Sequence, residues 1–286
     1  MEVLQLLESS RLFFAVATGA LGLIVGSFLN VVIYRLPVIM DRAWTRECQE
    51  HSGESASTDK QERFNLLAPA SRCPQCNHHI TAAENIPVIS YLFLKGRCSD
   101  CGTAISMRYP AVEMVTAILS VITALHFGYS VQTLAALGFT WALIPLFLID
   151  FDHQILPDSI TLPLLWAGLL LSLFSLFTDS QSSIIGAAAG YLSLWTIFHT
   201  FKLLTGKEGM GYGDFKLLGA IGAWTGWQVL PVVILFSSAV GAAIGITLIL
   251  FKGRDHSQPM PFGPFLAAAG WVTLLWGNDI IRLYLQ

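Results

Sequence analysis

Seven apolar runs, each long enough to cross a lipid bilayer, limit this chain to one class of fold. A transmembrane helix needs about 20 apolar residues to span about 30 Å of hydrocarbon. The runs lie at about 12–34, 111–128, 133–150, 159–178, 183–205, 229–251 and 262–284. An eighth, shorter segment at about 215–227 carries glycines, which is typical of a half-length or tilted helix. The sequence therefore predicts an all-α polytopic membrane protein with about eight transmembrane helices, one of them short.

The composition and the basic residues agree with a membrane protein of defined orientation. Hydrophobic residues make up 54% of the chain, and the net charge of -3 is too small to indicate a nucleic-acid partner. The first ten residues, "MEVLQLLESS", contain no basic residue, and the first run is too long for a cleavable signal peptide. Nine of the sixteen Lys and Arg residues lie in 35–110. Because basic residues favour the cytoplasmic side, we expect 35–110 to be cytoplasmic and both termini to lie on the other side.

The polar region 35–110 predicts a small domain between the first transmembrane helix (1–34) and a membrane domain (111–286). Its tract 47–62, "ECQEHSGESASTDKQE", is typical of a flexible loop. The pairs "CPQC" and "CSDC" supply four thiols, from Cys73, Cys76, Cys98 and Cys101. Four thiolates close a tetrahedral sphere around zinc, and a domain this small needs such a staple. The alternatives are iron, as in rubredoxin or an iron–sulfur cluster, and disulfides.

Three other residues of this region could contribute to the metal site. His78 and His79 closely follow the first cysteine pair. We interpret them as exposed polar residues rather than as donors to the thiolates. Cys48 stands apart in the sequence, and we interpret it as an ordinary cysteine.

Two carboxylates at predicted helix ends are the candidate catalytic groups. Asp150 ends the third apolar run, and Asp214 follows the glycines of "GMGYGDFKLL". The predicted topology places both at the inner boundary of the membrane. An ionisable residue there is costly and indicates a functional site. Asp152 is a rival to Asp150, and Asp158 is expected to cap the next helix.

Such a pair predicts the chemistry of an aspartyl protease. Two adjacent carboxyls do not both ionise easily, so one keeps a proton while the other is charged. The charged one can activate water, and the protonated one can donate to the scissile carbonyl. Gly211 and Gly213 lack a Cβ, which would let an extended peptide approach Asp214. The alternative is that Asp214 only caps a helix.

Two noncatalytic functions were weighed against the protease. A proton- or ion-coupled transporter would also place carboxylates in a membrane, but it typically has repeated halves and a site at mid-membrane. The sequence has neither an internal repeat nor a mid-helix acid. A noncatalytic assembly scaffold would need both Asp150 and Asp214 to be dispensable.

Several motifs together resemble the type IV prepilin peptidases, or prepilin leader peptidase/N-methyltransferases, of the G-x-G-D intramembrane aspartyl protease family. They are "GSFLNVVIYRLP", the two cysteine pairs, "NIPVISYLFLKGRC", "SMRYPAVE", "IDFDHQILPD", "GMGYGDFKLLGA" and "PFGPFLAAAGW". The resemblance implies that Asp150 and Asp214 are the catalytic pair. It implies cleavage of type IV prepilins and type II secretion pseudopilins at the cytoplasmic face of the bacterial inner membrane. It also implies S-adenosylmethionine as the donor for methylating the new N-terminus.

The residues themselves do not indicate where a methyl donor would bind. There is no glycine-rich loop in a βαβ context. Glu113 and Glu208 are acids that would attract a basic leader peptide or would simply be solvated at the interface.

Overall fold

A computed structural model describes residues 2–52, 64–207, 209–252 and 261–285. The chain divides into two compact units, Met1–Tyr129 and Ser130–Gln286. The described part of the first unit holds α1 (Glu2–Ser9), α2 (Arg11–His51), α3 (Ile89–Phe93) and α4 (Arg108–Phe127). The second holds α5 (Val131–His153), α6 (Asp158–Ser172), α7 (Ser180–Thr205), α8 (Tyr212–Thr225), α9 (Leu230–Lys252) and α10 (Gly263–Leu285). A 3₁₀ turn, Trp227–Val229, precedes α9.

The predicted all-α membrane fold is confirmed, since helices occur at all eight predicted segments. Among the described residues, five spans are long and apolar enough to cross a membrane by length and composition: Arg11–His51, Arg108–Phe127, Val131–His153, Ser180–Thr205 and Trp227–Thr247. Helix α6 is apolar but has only 15 residues. The protein is therefore a multi-pass membrane protein.

Helix α2 extends well beyond the predicted end at residue 34. It continues to His51, so the start of the predicted 47–62 loop is helical, whereas 53–62 lies outside the described residues. In the membrane part, α2 packs closely on α4. A Cβ on Gly22 would lie 2.8 Å from the Cα of Ala117, and one on Gly26 would lie 2.7 Å from the Cα of Glu113. Glycine is needed at both positions because the helix backbones approach so closely.

Glu113 has a different environment from the one predicted. It is buried, and its Oε2 accepts a 2.7 Å hydrogen bond from the backbone N–H of Val88. A buried carboxylate with a backbone donor is not solvated, so that prediction for Glu113 was wrong, whereas the attraction of a leader peptide stays a prediction. Glu208 lies outside the described residues.

Helix α8 is enclosed within the second unit. It has 14 residues, so its length of about 21 Å is too short to cross the hydrocarbon. It packs against α6, α7 and α10. Its Leu217, Leu218 and Ile221 are fully buried, and a Cβ on Gly190 of α7 would lie 2.6 Å from the carbonyl oxygen of Leu218. Neighbouring helices thus hold the segment that carries Asp214 on several sides.

Candidate active site and metal site

Asp150 is held by the first residue of α10. Its side chain is buried at the end of α5, and its Oδ2 accepts a 3.0 Å hydrogen bond from the backbone N–H of Gly263. The first N–H groups of a helix have no partner within the helix and carry partial positive charge. The N-terminus of α10 therefore supplies both a donor and a favourable field to this carboxyl.

Asp214 lies in the first turn of α8 and is also buried. Its Oδ2 accepts a 3.3 Å hydrogen bond from the N–H of Gly211, the residue that caps the helix. Its Oδ1 is buried and has no hydrogen-bond partner among the described residues. Capping therefore occupies one oxygen of Asp214, while the other has no such role.

The start of α8, which carries Asp214, and the start of α10, which binds Asp150, both contact the side chain of Leu156. A Cβ on Gly213 would lie 2.7 Å from the Cβ of Leu156, and one on Gly263 would lie 3.2 Å from its Cδ1. Gly263 donates to Asp150, and Gly213 directly precedes Asp214. The structure therefore brings together two acids that are far apart in the sequence.

The glycines before Asp214 differ in their surroundings. Gly213 must lack a side chain because Leu156 occupies that space. Gly211 is exposed, and the nearest described atom to a Cβ there would be Oδ2 of Asp214, 3.8 Å away. The approach of a peptide along Gly211 and Gly213 stays a prediction.

The neighbouring acids are clearly different from this pair. Asp152 is exposed, whereas Asp150 is buried and bound to Gly263, so the geometry favours Asp150 over its rival. The prediction that Asp158 caps α6 was wrong, because Pro157 occupies the capping position. Asp158 is instead the first helical residue and forms an ion pair with Lys216.

Sequence reasoning missed the contacts made by Gly263, Leu156 and Lys216. The motif "PFGPFLAAAGW" was noted, but no role was attached to its glycine. Leu156 lies within "IDFDHQILPD", and Lys216 follows Asp214 by two positions. All three residues therefore lie within motifs that indicated the family, but the sequence does not show which of their atoms are in contact.

The four predicted metal-binding cysteines form a compact cluster. Their sulfur atoms all lie within 4.8 Å of one another, with 3.8 Å between Cys73 and Cys101 and 3.9 Å between Cys76 and Cys98. Four sulfurs bound tetrahedrally at about 2.3 Å would be about 3.8 Å apart. All four thiols are free, and Cys48 is free and exposed. The cluster could therefore bind a metal ion.

Each cysteine pair is built by the same local backbone pattern. The N–H of Cys73 donates to the carbonyl of His78, and that of Cys98 donates to the carbonyl of Thr103. The residue after each pair, Asn77 or Gly102, has positive φ, which Asn and Gly tolerate best. Such turns aim two sulfurs at one point, which explains why the spacing alone predicted the cluster.

The surroundings shift the pKa values of two of these thiols in opposite directions. Hydrogen bonding with the side chain and the backbone of Thr103 lowers the pKa of Cys101 to about 6. The His78 backbone lowers the pKa of Cys76, but burial and the other three sulfurs raise it to about 12. Without a metal the four thiols do not all ionise, whereas a bound metal ion requires thiolates and releases their protons.

Glu84 connects the two cysteine pairs. It accepts hydrogen bonds from the N–H and hydroxyl of Thr81, from the hydroxyl of Ser99 and from Nε2 of His78. Ser99 lies within the second cysteine pair, whereas His78 follows the first. The bonds from Ser99 and Thr81 lower the pKa of Glu84 to about 2. His78 is thus half-buried rather than exposed as predicted, while His79 is exposed.

Comparison with known proteins decides the family. Residues 20–127 match the bacterial peptidase A24 N-terminal domain, and residues 137–246 match the type IV leader peptidase family. A prepilin leader peptidase/N-methyltransferase of Pseudomonas aeruginosa is 53% identical over 286 residues, which is 100% of this chain and 98% of the relative. Relatives of the same name from Aeromonas salmonicida and Dichelobacter nodosus are each 56% identical over 93% of this chain, and the matches cover 91% and 93% of their own lengths. The chain belongs to the type IV leader peptidase family. No solved structure matches it.

Membership of the type IV leader peptidase family confirms the resemblance inferred from the motifs and does not favour the transporter alternative. The two matched regions lie one in each compact unit. Asp150 and Asp214 are within the matched part of the second unit, and the four cysteines are within that of the first. Gly263 lies beyond the matched residues, so only the structure connects it to the site.

Proposed function

We propose that this protein is an aspartic endopeptidase that removes the leader peptide of prepilins and then N-methylates the new N-terminus. The observation that carries the peptidase function is the convergence of two buried aspartates, Asp150 and Asp214, at two helix N-termini. Family membership supports both activities, because the relatives are named prepilin leader peptidase/N-methyltransferase.

The paired carboxyls carry out hydrolysis by sharing one proton. The ionised carboxyl takes a proton from water, and the resulting hydroxide attacks the scissile carbonyl carbon. The protonated carboxyl donates its proton to the carbonyl oxygen. When the tetrahedral intermediate breaks down, the C–N bond is cleaved, the carboxyl that took the proton of water gives it to the leaving amine, and the other carboxyl takes back the proton from the former carbonyl oxygen. The Gly263 and Gly211 amides orient the two carboxyls, and the exposed Gly211 leaves room for the peptide to approach, since Leu156 fills the space beside Gly213.

The substrate class is taken from the name of the relatives, and the proposed position of the acids agrees with it. A prepilin has a basic leader followed by an apolar helix, so the leader stays at the inner face while the helix lies in lipid. Acids at the inner boundary meet this junction. We assign the protein to the bacterial inner membrane, with the active site and the cysteine domain (35–110) on the cytoplasmic side. In this orientation most Lys and Arg residues lie on the cytoplasmic side, as basic residues of membrane proteins usually do. Prepilins and type II secretion pseudopilins are the substrates.

A direct test uses purified protein in detergent and a synthetic prepilin peptide, with and without S-adenosylmethionine. We expect cleavage in both cases, and a mass increase of one methylene on the mature fragment only with the methyl donor. An intact peptide in both reactions would contradict the peptidase function. Cleavage without added mass under saturating donor would contradict the methyltransferase function alone.

We further propose that Cys73, Cys76, Cys98 and Cys101 bind one structural zinc ion. Four thiolates leave no open coordination position for a substrate, so the metal stabilises the cysteine domain rather than taking part in hydrolysis. The spacing of the sulfurs and the four-cysteine donor set support zinc.

Metal analysis of the purified protein is expected to find about one zinc per chain, the capacity of a single four-thiolate site. Cys73→Ser is expected to lose most of the metal, because it removes one of the four ligands. Cys48→Ser is the matched control and is expected to keep it, because Cys48 is exposed and outside the cluster. Iron in place of zinc, or equal metal content in both variants, would contradict the assignment.

A further inference from the structure

An ion pair joins the start of α6, the helix that follows Asp150 in the chain, to the start of α8, the helix that carries Asp214. Nζ of Lys216 is 2.8 Å from Oδ1 and 2.7 Å from Oδ2 of Asp158. Lys216 lies two residues after Asp214 on α8, and Asp158 is the first residue of α6. The ammonium group therefore binds both oxygens of one carboxylate that belongs to a different helix.

The ion pair between Lys216 and Asp158 is partly exposed to solvent. The side chains of Lys216 and Asp158 are 31% and 52% exposed. An ion pair with this much solvent contact contributes little to global stability, because water screens it and both side chains lose conformational freedom. Its larger effect is to restrict how the beginning of α6 moves relative to the beginning of α8.

That restriction acts on the connection between the two acids. Residues 154–157 join the end of α5, which carries Asp150, to Asp158. In this connection Pro157 is buried and Leu156 lies against Gly213, next to Asp214. Asp158 directly follows this connection, and its ion pair with Lys216 attaches that end of the connection to α8. The attachment lies two residues after the contact between Leu156 and Gly213. Loss of the pair would let Leu156, and with it the spacing between the carboxyls, relax.

We infer that Asp158 and Lys216 are positioning residues for the catalytic pair. They act by joining the start of α6 to the start of α8, and neither touches the substrate. This inference rests on the proposed peptidase function. It predicts that losing the pair lowers kcat with little change in KM, because the binding of the substrate helix does not depend on the spacing between the carboxyls.

The test is a double-mutant cycle on the full-length protein with a synthetic prepilin as substrate. Asp158→Asn and Lys216→Met each remove one charge with little change in size. Each is expected to lower kcat by about 10- to 100-fold, since misplacement by about 1 Å can cost about 100-fold. The double variant is expected to be no worse than the worse single one, because both changes remove the same contact.

Controls separate a positioning role from a structural one. Lys216→Arg keeps a cation that can bind the carboxylate and is expected to recover most of kcat. Lys207→Met removes an exposed charge in the loop between α7 and α8 and is expected to have no effect. The midpoint of thermal unfolding is expected to stay close to that of the unmodified protein in every variant, as for other half-exposed pairs.

Several outcomes would overturn the inference. Losses of kcat that add in the double variant would mean independent roles, and a raised KM in Lys216→Met would mean substrate contact. Unchanged kcat in both single variants would mean that the pair has no positioning role. Failure of the unmodified protein to cleave any prepilin would instead contradict the proposed function, so the two failures are distinguishable.

Discussion

Asp150→Asn and Asp214→Asn are each expected to abolish prepilin cleavage, with kcat at least about 1,000-fold lower. An amide has nearly the same shape as a carboxyl but can neither accept the proton of water nor donate an acidic proton, and such proton transfers are worth about 100- to 10,000-fold. Cleavage rates with a synthetic prepilin measure this directly. Thermal unfolding in detergent checks that the fold persists.

Asp152→Asn is the matched control for the first prediction. It makes the same chemical change two positions from Asp150 but on an exposed side chain. We expect it to keep nearly full activity. If Asp152→Asn lost activity while Asp150→Asn kept it, the choice between these two acids would have to be reversed. Full activity in either Asp150→Asn or Asp214→Asn would disprove the catalytic pair.

Gly263→Ala is expected to lower kcat by about 100-fold, since displacement of a catalytic group by about 1 Å has an effect of this size. The new Cβ would lie 2.6 Å from Oδ2 and 3.0 Å from Cγ of Asp150, well inside van der Waals contact. Either the carboxyl or the start of α10 has to move, and the hydrogen bond from the Gly263 N–H is strained in both cases. Steady-state kinetics on the purified variant, with KM determined separately, measures the loss.

Gly138→Ala is the control for this substitution. Gly138 lies on α5, the same helix as Asp150, but it is exposed and a Cβ there would meet no described atom within 4 Å. Alanine also has the higher helix propensity, so this variant is expected to be fully active and at least as stable. Wild-type kinetics in Gly263→Ala would show that the contact between Gly263 and Asp150 does not matter for catalysis.

The membrane helices were predictable because their signal is local. An apolar run of about 20 residues has few ways to satisfy its backbone in a bilayer other than as a helix. The same reasoning did not find the end of α2. After residue 34 the chain becomes polar, yet it stays helical to His51 because a polar sequence without Gly or further Pro beyond Pro37 also allows a helix.

The cysteine cluster was also predictable, for a related reason. The turn within each C-x2-C pair is determined by residues next to it, such as Asn77 and Gly102 with positive φ. Two such turns need only approach each other to bring four sulfurs together. Glu84, which connects them through Ser99 and Thr81, was not predicted, since a single acid in a polar region has no distinguishing pattern.

The sequence by itself determined the membrane helices, the four thiols and the two candidate acids, because each depends on composition or on spacing within a short stretch. Only the tertiary structure decided that Gly263 binds Asp150, that Leu156 contacts the starts of α8 and α10, and that Lys216 pairs with Asp158. These contacts join residues from separate helices. They depend on how α5, α6, α8 and α10 pack, and helix packing is set by the fit of side chains across whole interfaces rather than by any local pattern.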